Sequence, residues 1–200
     1  RIEAPWPTGG KLWAYHVGLG RGPRRNACGR MGHARLAIEL LTDASPDRSR
    51  EIADYLTTQN AKRQRGERKI TEQAIQLVEE GGLADADHRA IVLASDEWHG
   101  GVIGIVASRL VGRFSRPAIL IAINDDGFGQ GSGRSIPGFH MRDALAACGE
   151  HLESFGGHAM AGGLRAAGDR VDDFAAAFVA YANEHITEDQ LTPTLHVDAE

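Results

Sequence analysis

Between residues 84 and 190, strand-length apolar runs alternate with segments of helical period, and this alternation restricts the fold more than any other feature. Residues 90–94 form a short continuous apolar run, and residues 117–123 form another. Bounded runs of this length read as buried strands. Residues 102–114 carry Ile103, Val106, Ala107 and Leu110 at helical spacing, and residues 171–185 set Phe174, Phe178 and Tyr181 on one apolar face. Further strands are expected at 130–134, 164–166 and 195–197, and a further helix at 141–148. Alternation of this kind predicts a compact α/β domain.

The region before it reads differently. Residues 1–20 hold Pro5, Pro7, Gly9, Gly10, Gly18 and Gly20 without a clear period and read as an irregular lead-in. A short helix is expected over 33–42. Ser45 and Pro46 then make a helix start, serine as cap and proline in the first turn. Ile52, Leu56, Ile70, Ala74, Leu77 and Val78 carry one long helix as far as Gly81 and Gly82, with Gly66 costing it about 1 kcal/mol. A long, mostly polar helix suits a bridge between two domains.

The 200 residues allow one large domain or two small ones, and 42% hydrophobic with 24% charged residues is ordinary globular composition. No apolar run has the length of a membrane span. Cys28 and Cys148 stand far apart and in no CxxC pair, which argues against a disulfide framework or zinc cluster and for a reducing, cytoplasmic setting. The chain opens on Arg1 rather than Met, the expectation being a fragment or a processed chain. A net charge of −5 argues mildly against a general polyanion binder, but the cations are concentrated. Arg21, Arg24, Arg25, Arg30 and Arg35 crowd one segment, and Lys62, Arg63, Arg65, Arg68 and Lys69 another.

Two glycine-rich stretches carry the chemistry. In residues 156–163, Gly156, Gly157, Gly162 and Gly163 bracket His158. Glycine lets backbone approach a ligand closely, and a helix starting here would aim its first N–H groups at an anion. Isolated histidines are usually structural; here the small flanking residues favour a ligand-facing ring over a core or metal-bound one. In residues 131–135, Ser132, Gly133, Arg134 and Ser135 offer hydroxyls, exposed backbone N–H groups and one guanidinium able to grip phosphate with two hydrogen bonds. A β-turn with an incidental arginine is the weaker alternative.

Trp98, His99, Gly100 and Gly101 lead into a helix, a context equally suited to a ligand at its N-terminus or to a tight turn with Trp98 in the core. His99, His140 and His151 read as turn or surface residues. Residues 22–30, with Arg24, Asn26 and Arg30, suit either a solvated loop or contacts that track a nucleic-acid backbone. The second basic cluster, balanced by Glu67, Glu72, Glu79 and Glu80, reads as a solvated helix face. Asp85, Asp87 and His88 have the look of a metal cluster but, lacking a second acidic group nearby, read as a solvated turn.

Four blocks together resemble the C-terminal part of the RecJ family, single-strand-specific 5′→3′ DNA exonucleases of the DHH phosphoesterase superfamily. Gly22-Pro23-Arg24-x-Asn26-Ala27-x-Gly29-Arg30 is similar to one family block, and Trp98-His99-x-Gly101-Val102-Ile103-Gly104-Ile105-Val106-Ala107 to a second. Gly131 to Ser135 matches the family's GSGRS block, and Gly156-Gly157-His158-x-x-Ala161-x-Gly163 resembles the GGH motif of its DHHA1 domain. The likeness implies an α/β fold in which a long interdomain helix leads into a DHHA1-type domain, a mixed sheet flanked by helices. It implies boundaries at 1–45 for the end of a preceding region, 46–82 for the helix, 84–190 for the DHHA1-type domain and 191–200 for the lead into another.

The resemblance also implies roles. Ser132, Gly133 and Arg134 would grip the 5′ phosphate of single-stranded DNA, and His158, with the N–H groups of Gly156 and Gly157, would meet the phosphate near the scissile bond. Arg24, Asn26 and Arg30 would line the path of the strand. The family's Mn2+ or Mg2+ ions would be held by a DHH domain, from the same gene or a separate chain. No Asp-His-His triplet or HxDxD pattern occurs in this sequence, so the expected metals are not ligated by it. Cys28 and Arg25 also replace residues that are usually smaller or apolar. The expectation is therefore the substrate-binding half of such a nuclease, inactive by itself. The alternatives are a non-catalytic single-strand-binding module and a DHH-type oligonucleotide phosphodiesterase; the GSGRS and WH-GVIGIVA blocks speak against the latter.

Overall fold

In a computed structural model that describes residues 13–31 and 34–193, the chain divides into two units, Arg1–Gly66 and Glu67–Glu200. The first holds a π-helical turn (His16–Arg21) running into α1 (Gly22–Met31), then α2 (Ala34–Thr42) and the first part of α3 (Pro46–Glu80). The arginine-rich residues 22–30 are thus helical, where a loop was one of the two expectations, and residues 16–20 are helical instead of irregular. The physical reason is packing. Pro23 stands just after the π-helical turn, where the Gly22 N–H still reaches back to the Val17 carbonyl. Ala27 and Cys28 are fully buried, Cys28 against Ile52 and Leu56 of α3 with Leu36 and Leu40 of α2 beside them. Residues 1–12 lie outside the described residues.

At the start of α3, Ser45 Oγ accepts from the Arg48 N–H at 3.3 Å, and the helix runs unbroken through Gly66. A Cβ built on Gly66 meets nothing within 4 Å. Gly66→Ala is therefore expected to raise stability by about 1 kcal/mol, read as a higher urea midpoint at unchanged slope. An unchanged or lower midpoint would contradict a continuous helix there.

The second unit contains the last turns of α3 and β1 (Ile91–Ser95), α4 (Gly100–Phe114), β2 (Ala118–Ile123), β3 (Phe128–Arg134), α5 (Met141–Ala147), β4 (Ser154–Gly157), β5 (Ala161–Ala167) and α6 (Val171–His185). The strands form one sheet in the order β1-β2-β3-β5-β4. β1 and β2 are parallel, joined through α4, and the remaining pairs are antiparallel, so the sheet is mixed. Alternation along the strands sends Ile119, Ile121, Leu164 and Ala166 to one face, where they pack with Met141, Leu145, Phe174 and Phe178. Phe139 meets Phe178 edge to face at 6.0 Å. The other face carries α4, whose Gly104 lies against Ser132 and Arg134 of β3.

Glu67, read from the sequence as part of a solvated face, is 5% exposed and pairs with Arg109 of α4. The last strand expected, 195–197, falls outside the described residues.

Candidate functional site

The strand expected at 130–134 is β3, but it does not offer the exposed N–H groups expected of it. Residues 131–134 belong to β3, which is paired on both sides, to β2 and to β5. Its backbone N–H groups are engaged in the sheet and are not an exposed cradle. Gly131 and Gly133 serve packing: a Cβ on Gly131 would stand 2.6 Å from Leu164 Cγ, and one on Gly133 2.9 Å from Met141 Sδ. Ser135 is also removed from the candidate set, because it is buried and its hydroxyl donates to the Phe139 carbonyl at 2.7 Å.

The Gly156–Gly163 stretch contains no helix start. It is a β-hairpin, β4 turning into β5 through residues 158–160. The glycines lie on the two strands, so no macrodipole aims at an anion here. Gly157 has φ +148°, and a Cβ there would come within 2.4 Å of the Ala161 oxygen. Only glycine closes this turn without strain. The His158 N–H donates to the Ala161 carbonyl at 2.8 Å. The turn is also tied from outside: the Ser135 N–H donates to the Met160 oxygen at 3.0 Å, and the Met141 N–H to the Ala159 oxygen at 2.8 Å.

Register then brings the two motifs together. Ser132 stands opposite Gly163 and Gly163 opposite Gly156, while Arg134 stands opposite Ala161 beside the turn. Directly paired residues share a face, so Gln130, Ser132 and Arg134 of β3 and Ala161, Gly163 and Arg165 of β5 face the same way. This is the α4 side. Ser132 Oγ accepts from Arg134 Nη1 at 3.2 Å, and the same nitrogen donates to the Gly133 carbonyl at 2.7 Å. The guanidinium is held in place by its own strand. His158 projects from the adjoining turn and is exposed. β4 forms the sheet edge and is paired on one side only, so alternate N–H groups of the strand carrying Gly156 and Gly157 face away from the sheet.

The Trp98–Ala107 block supports this face. Trp98 is 5% exposed, its Nε1–H donating to Gln73 Oε1 at 3.2 Å, so the core reading holds for it. His99 caps α4, Nδ1 accepting from the Gly101 N–H at 3.0 Å. The helix begins at Gly100, two residues earlier than expected. Gly104 gives α4 its close approach: a Cβ there would sit 2.7 Å from Ser132 Oγ and 3.0 Å from Arg134 Nη2. His140 likewise caps α5, Nδ1 accepting from the Asp143 N–H at 3.3 Å. Residues 85–88 form a turn held by Arg116, which donates to the Asp85 and His88 carbonyls.

Of the sequence candidates, Ser132, Arg134, Gly156, Gly157 and His158 are gathered in the second unit. Arg24, Asn26 and Arg30 lie on α1 in the first, and not on one face. Asn26 and Arg30 are four residues apart and both exposed. Arg24 turns instead toward an apolar pocket with Arg21, Arg25, Leu40 and Leu56, donating to the Gly20 carbonyl at 2.6 Å. The sequence reading missed Arg165, Phe128 and Gln130. They share the face of Ser132, and the two-residue period of β3 and β5 was the signal that could have found them.

Among the described residues, no three His, Cys, Asp or Glu side chains come together as a metal-binding group. These residues do not fit a divalent-metal centre, and no hydrolytic step is assigned to them. Both cysteines are buried and in no disulfide, and burial pushes the Cys148 thiol up to about 11, away from reactive thiolate.

The second unit is built on a five-stranded mixed sheet with a polar row beside a glycine-lined hairpin, and residues 87–184 match the DHHA1 domain family. The single-stranded-DNA-specific exonuclease RecJ of Bacillus subtilis is 40% identical over 183 residues, which is 91% of this chain and 23% of that protein. The RecJ of Escherichia coli is 38% identical over 202 residues, 92% of this chain and 32% of the relative. The crystal structure of RecJ from Thermus thermophilus in complex with Mn2+ superposes with a TM-score of 0.76 at 32% identity, covering 88% of this chain and 26% of that one. This chain is RecJ-like over most of its length, with a DHHA1 domain in its second unit. It spans between 23% and 34% of the length of the curated relatives it matches.

Proposed function

We propose that this chain is the substrate-binding half of a RecJ-like 5′→3′ exonuclease, with the second unit holding single-stranded DNA by its 5′ phosphate. Arg134 and Ser132 grip that phosphate, and His158, with Gly156 and Gly157, meets the phosphate next along the strand. Asn26 and Arg30 contact the strand's backbone. A DHH domain outside these residues would hold the Mn2+ or Mg2+ that would supply activated water for phosphodiester hydrolysis. The role of these residues is then to bind and orient the strand.

The observation that supports this reading best is the convergence of Ser132 and Arg134 with the His158 turn on one face of adjacent strands. An arginine already held by its own strand loses little further side-chain freedom on meeting a phosphate. The chain is expected to bind 5′-phosphorylated single strands more tightly than the same strands ending in a hydroxyl. Affinity should fall steeply with salt, as phosphate contacts release counterions. Fluorescence anisotropy on the two labelled strands measures both; equal affinities would remove the end-gripping role and leave a plain single-strand-binding module.

A further inference from the structure

We propose that the trough beside Ser132 is a nucleoside subsite, in which the base next to the gripped phosphate lies on the Gly156–Gly163 backbone against the Arg165 guanidinium. The inference rests on the phosphate reading above. The trough encloses about 500 Å³ and is lined by Asn124, Phe128, Gln130, Gly163 and Arg165 among others. That is within the range of small-molecule sites, roughly 300–1,000 Å³.

Its floor differs from the rest of the glycine-rich sheet. Gly131, Gly133 and Gly162 are dictated by packing, since a Cβ on any of them would come within 2.9 Å of a core side chain. Gly156 and Gly163 have no such reason: a Cβ on Gly156 meets nothing within 4 Å, and one on Gly163 only the Gly131 oxygen at 3.7 Å. Neither has a positive φ that calls for glycine. The bare row is thus free of any demand from the fold, and what it keeps clear is a strip of flat peptide backbone on the same face as Ser132.

Polar rows stand on either side of the bare one. Arg134 with Ala161 lies on one side, and Gln130, Arg165 and Ser154 on the other. At about 3.4 Å per residue, the Arg134 and Arg165 rows are about 14 Å apart, enough for one nucleoside between them. Arg165 is prepared for a planar partner. Its guanidinium lies over the Phe128 ring at 4.5 Å, its Nε pairs with Glu153 at 2.8 Å, and its side chain remains 54% exposed. Phe128 covers one face of the guanidinium, and a base stacks on the other regardless of its sequence identity. An added peptide strand would pair along the β4 edge and leave this face unfilled.

The test uses the full chain and a fluorescent 5′-phosphorylated oligothymidylate, compared with the same strand abasic at its first position. The base-containing strand is expected to bind about tenfold tighter, as one stacked base would give. In Gly163→Val, which fills the trough where space is open, and in Arg165→Ala, that ratio should fall toward one with the abasic affinity unchanged. Arg134→Ala should weaken both strands and preserve the ratio. A wild-type ratio near one, an unchanged ratio in folded variants, or equal losses on both strands would overturn the subsite while leaving the phosphate reading intact. If neither strand binds, or Arg134→Ala changes nothing, the phosphate reading fails and the subsite with it. Should Gly163→Val not fold, Arg165→Ala on the exposed face decides alone.

Discussion

Arg134→Ala is expected to lower affinity for a 5′-phosphorylated single strand by roughly tenfold to a hundredfold, the worth of a charge-assisted hydrogen-bond pair. Affinity for the same strand with a 5′-hydroxyl should change less than about threefold, because backbone contacts elsewhere supply that binding. Arg134→Lys should fall between the two, keeping the charge but losing the planar fork that suits phosphate oxygens. The comparison of ends separates ligand contact from structure. The Arg134 guanidinium also donates to the Gly133 carbonyl and to Ser132 Oγ, so a purely structural loss would weaken both strands alike. That result would end its assignment to the 5′ phosphate.

The second large effect is on stability and falls on Gly157. With φ +148°, an alanine Cβ would stand 2.4 Å from the Ala161 oxygen and 2.5 Å from Gly162 Cα. Both neighbours are backbone atoms of the paired strand, so they yield only by opening the hairpin. Gly157→Ala should cost about 3 kcal/mol, combining left-handed strain with overpacking. Gly131→Ala, directed at Leu164 in the core, should cost about 2 kcal/mol, since the aliphatic side chain can shift somewhat. Gly156→Ala, one residue from Gly157 but facing open space, should stay within about 0.5 kcal/mol. Urea denaturation of the three variants checks the order. Equal stability of Gly157→Ala and Gly156→Ala would refute the hairpin geometry on which the candidate site depends.

Much of the fold was legible because burial leaves a periodic mark. The runs at 90–94 and 117–123 are β1 and β2 to within a residue, and the Phe174, Phe178 and Tyr181 spacing is α6. Ser45 and Pro46 do open α3. Glycine was where the reading went astray. It leaves no hydrophobic pattern, so 130–134 was readable as a strand but not as one paired on both sides with its N–H groups engaged. β3 is such a strand, and its Gly131 and Gly133 are small because Leu164 and Met141 fill the space above them. The same blindness made a helix start of the β4–β5 hairpin. Residues 16–30 failed for another reason: α1 has almost no amphipathic stripe of its own and is held by what packs on Cys28.

The class of fold, the family and the residue types available for phosphate contact were readable from the chain alone, because apolar period and short motifs are local properties. Which of those residues meet is a matter of three-dimensional pairing. Strand register set Ser132 beside Gly163 and Gly156, the turn hydrogen bonds from Ser135 and Met141 drew the His158 hairpin to the end of β3, and Ser135 was buried away from it. Pairing between segments some 30 residues apart depends on a sheet that exists only once α4, α5 and α6 cover their faces. For that reason the glycines could be read individually, yet the division between those that admit a ligand and those that admit a neighbouring side chain could not.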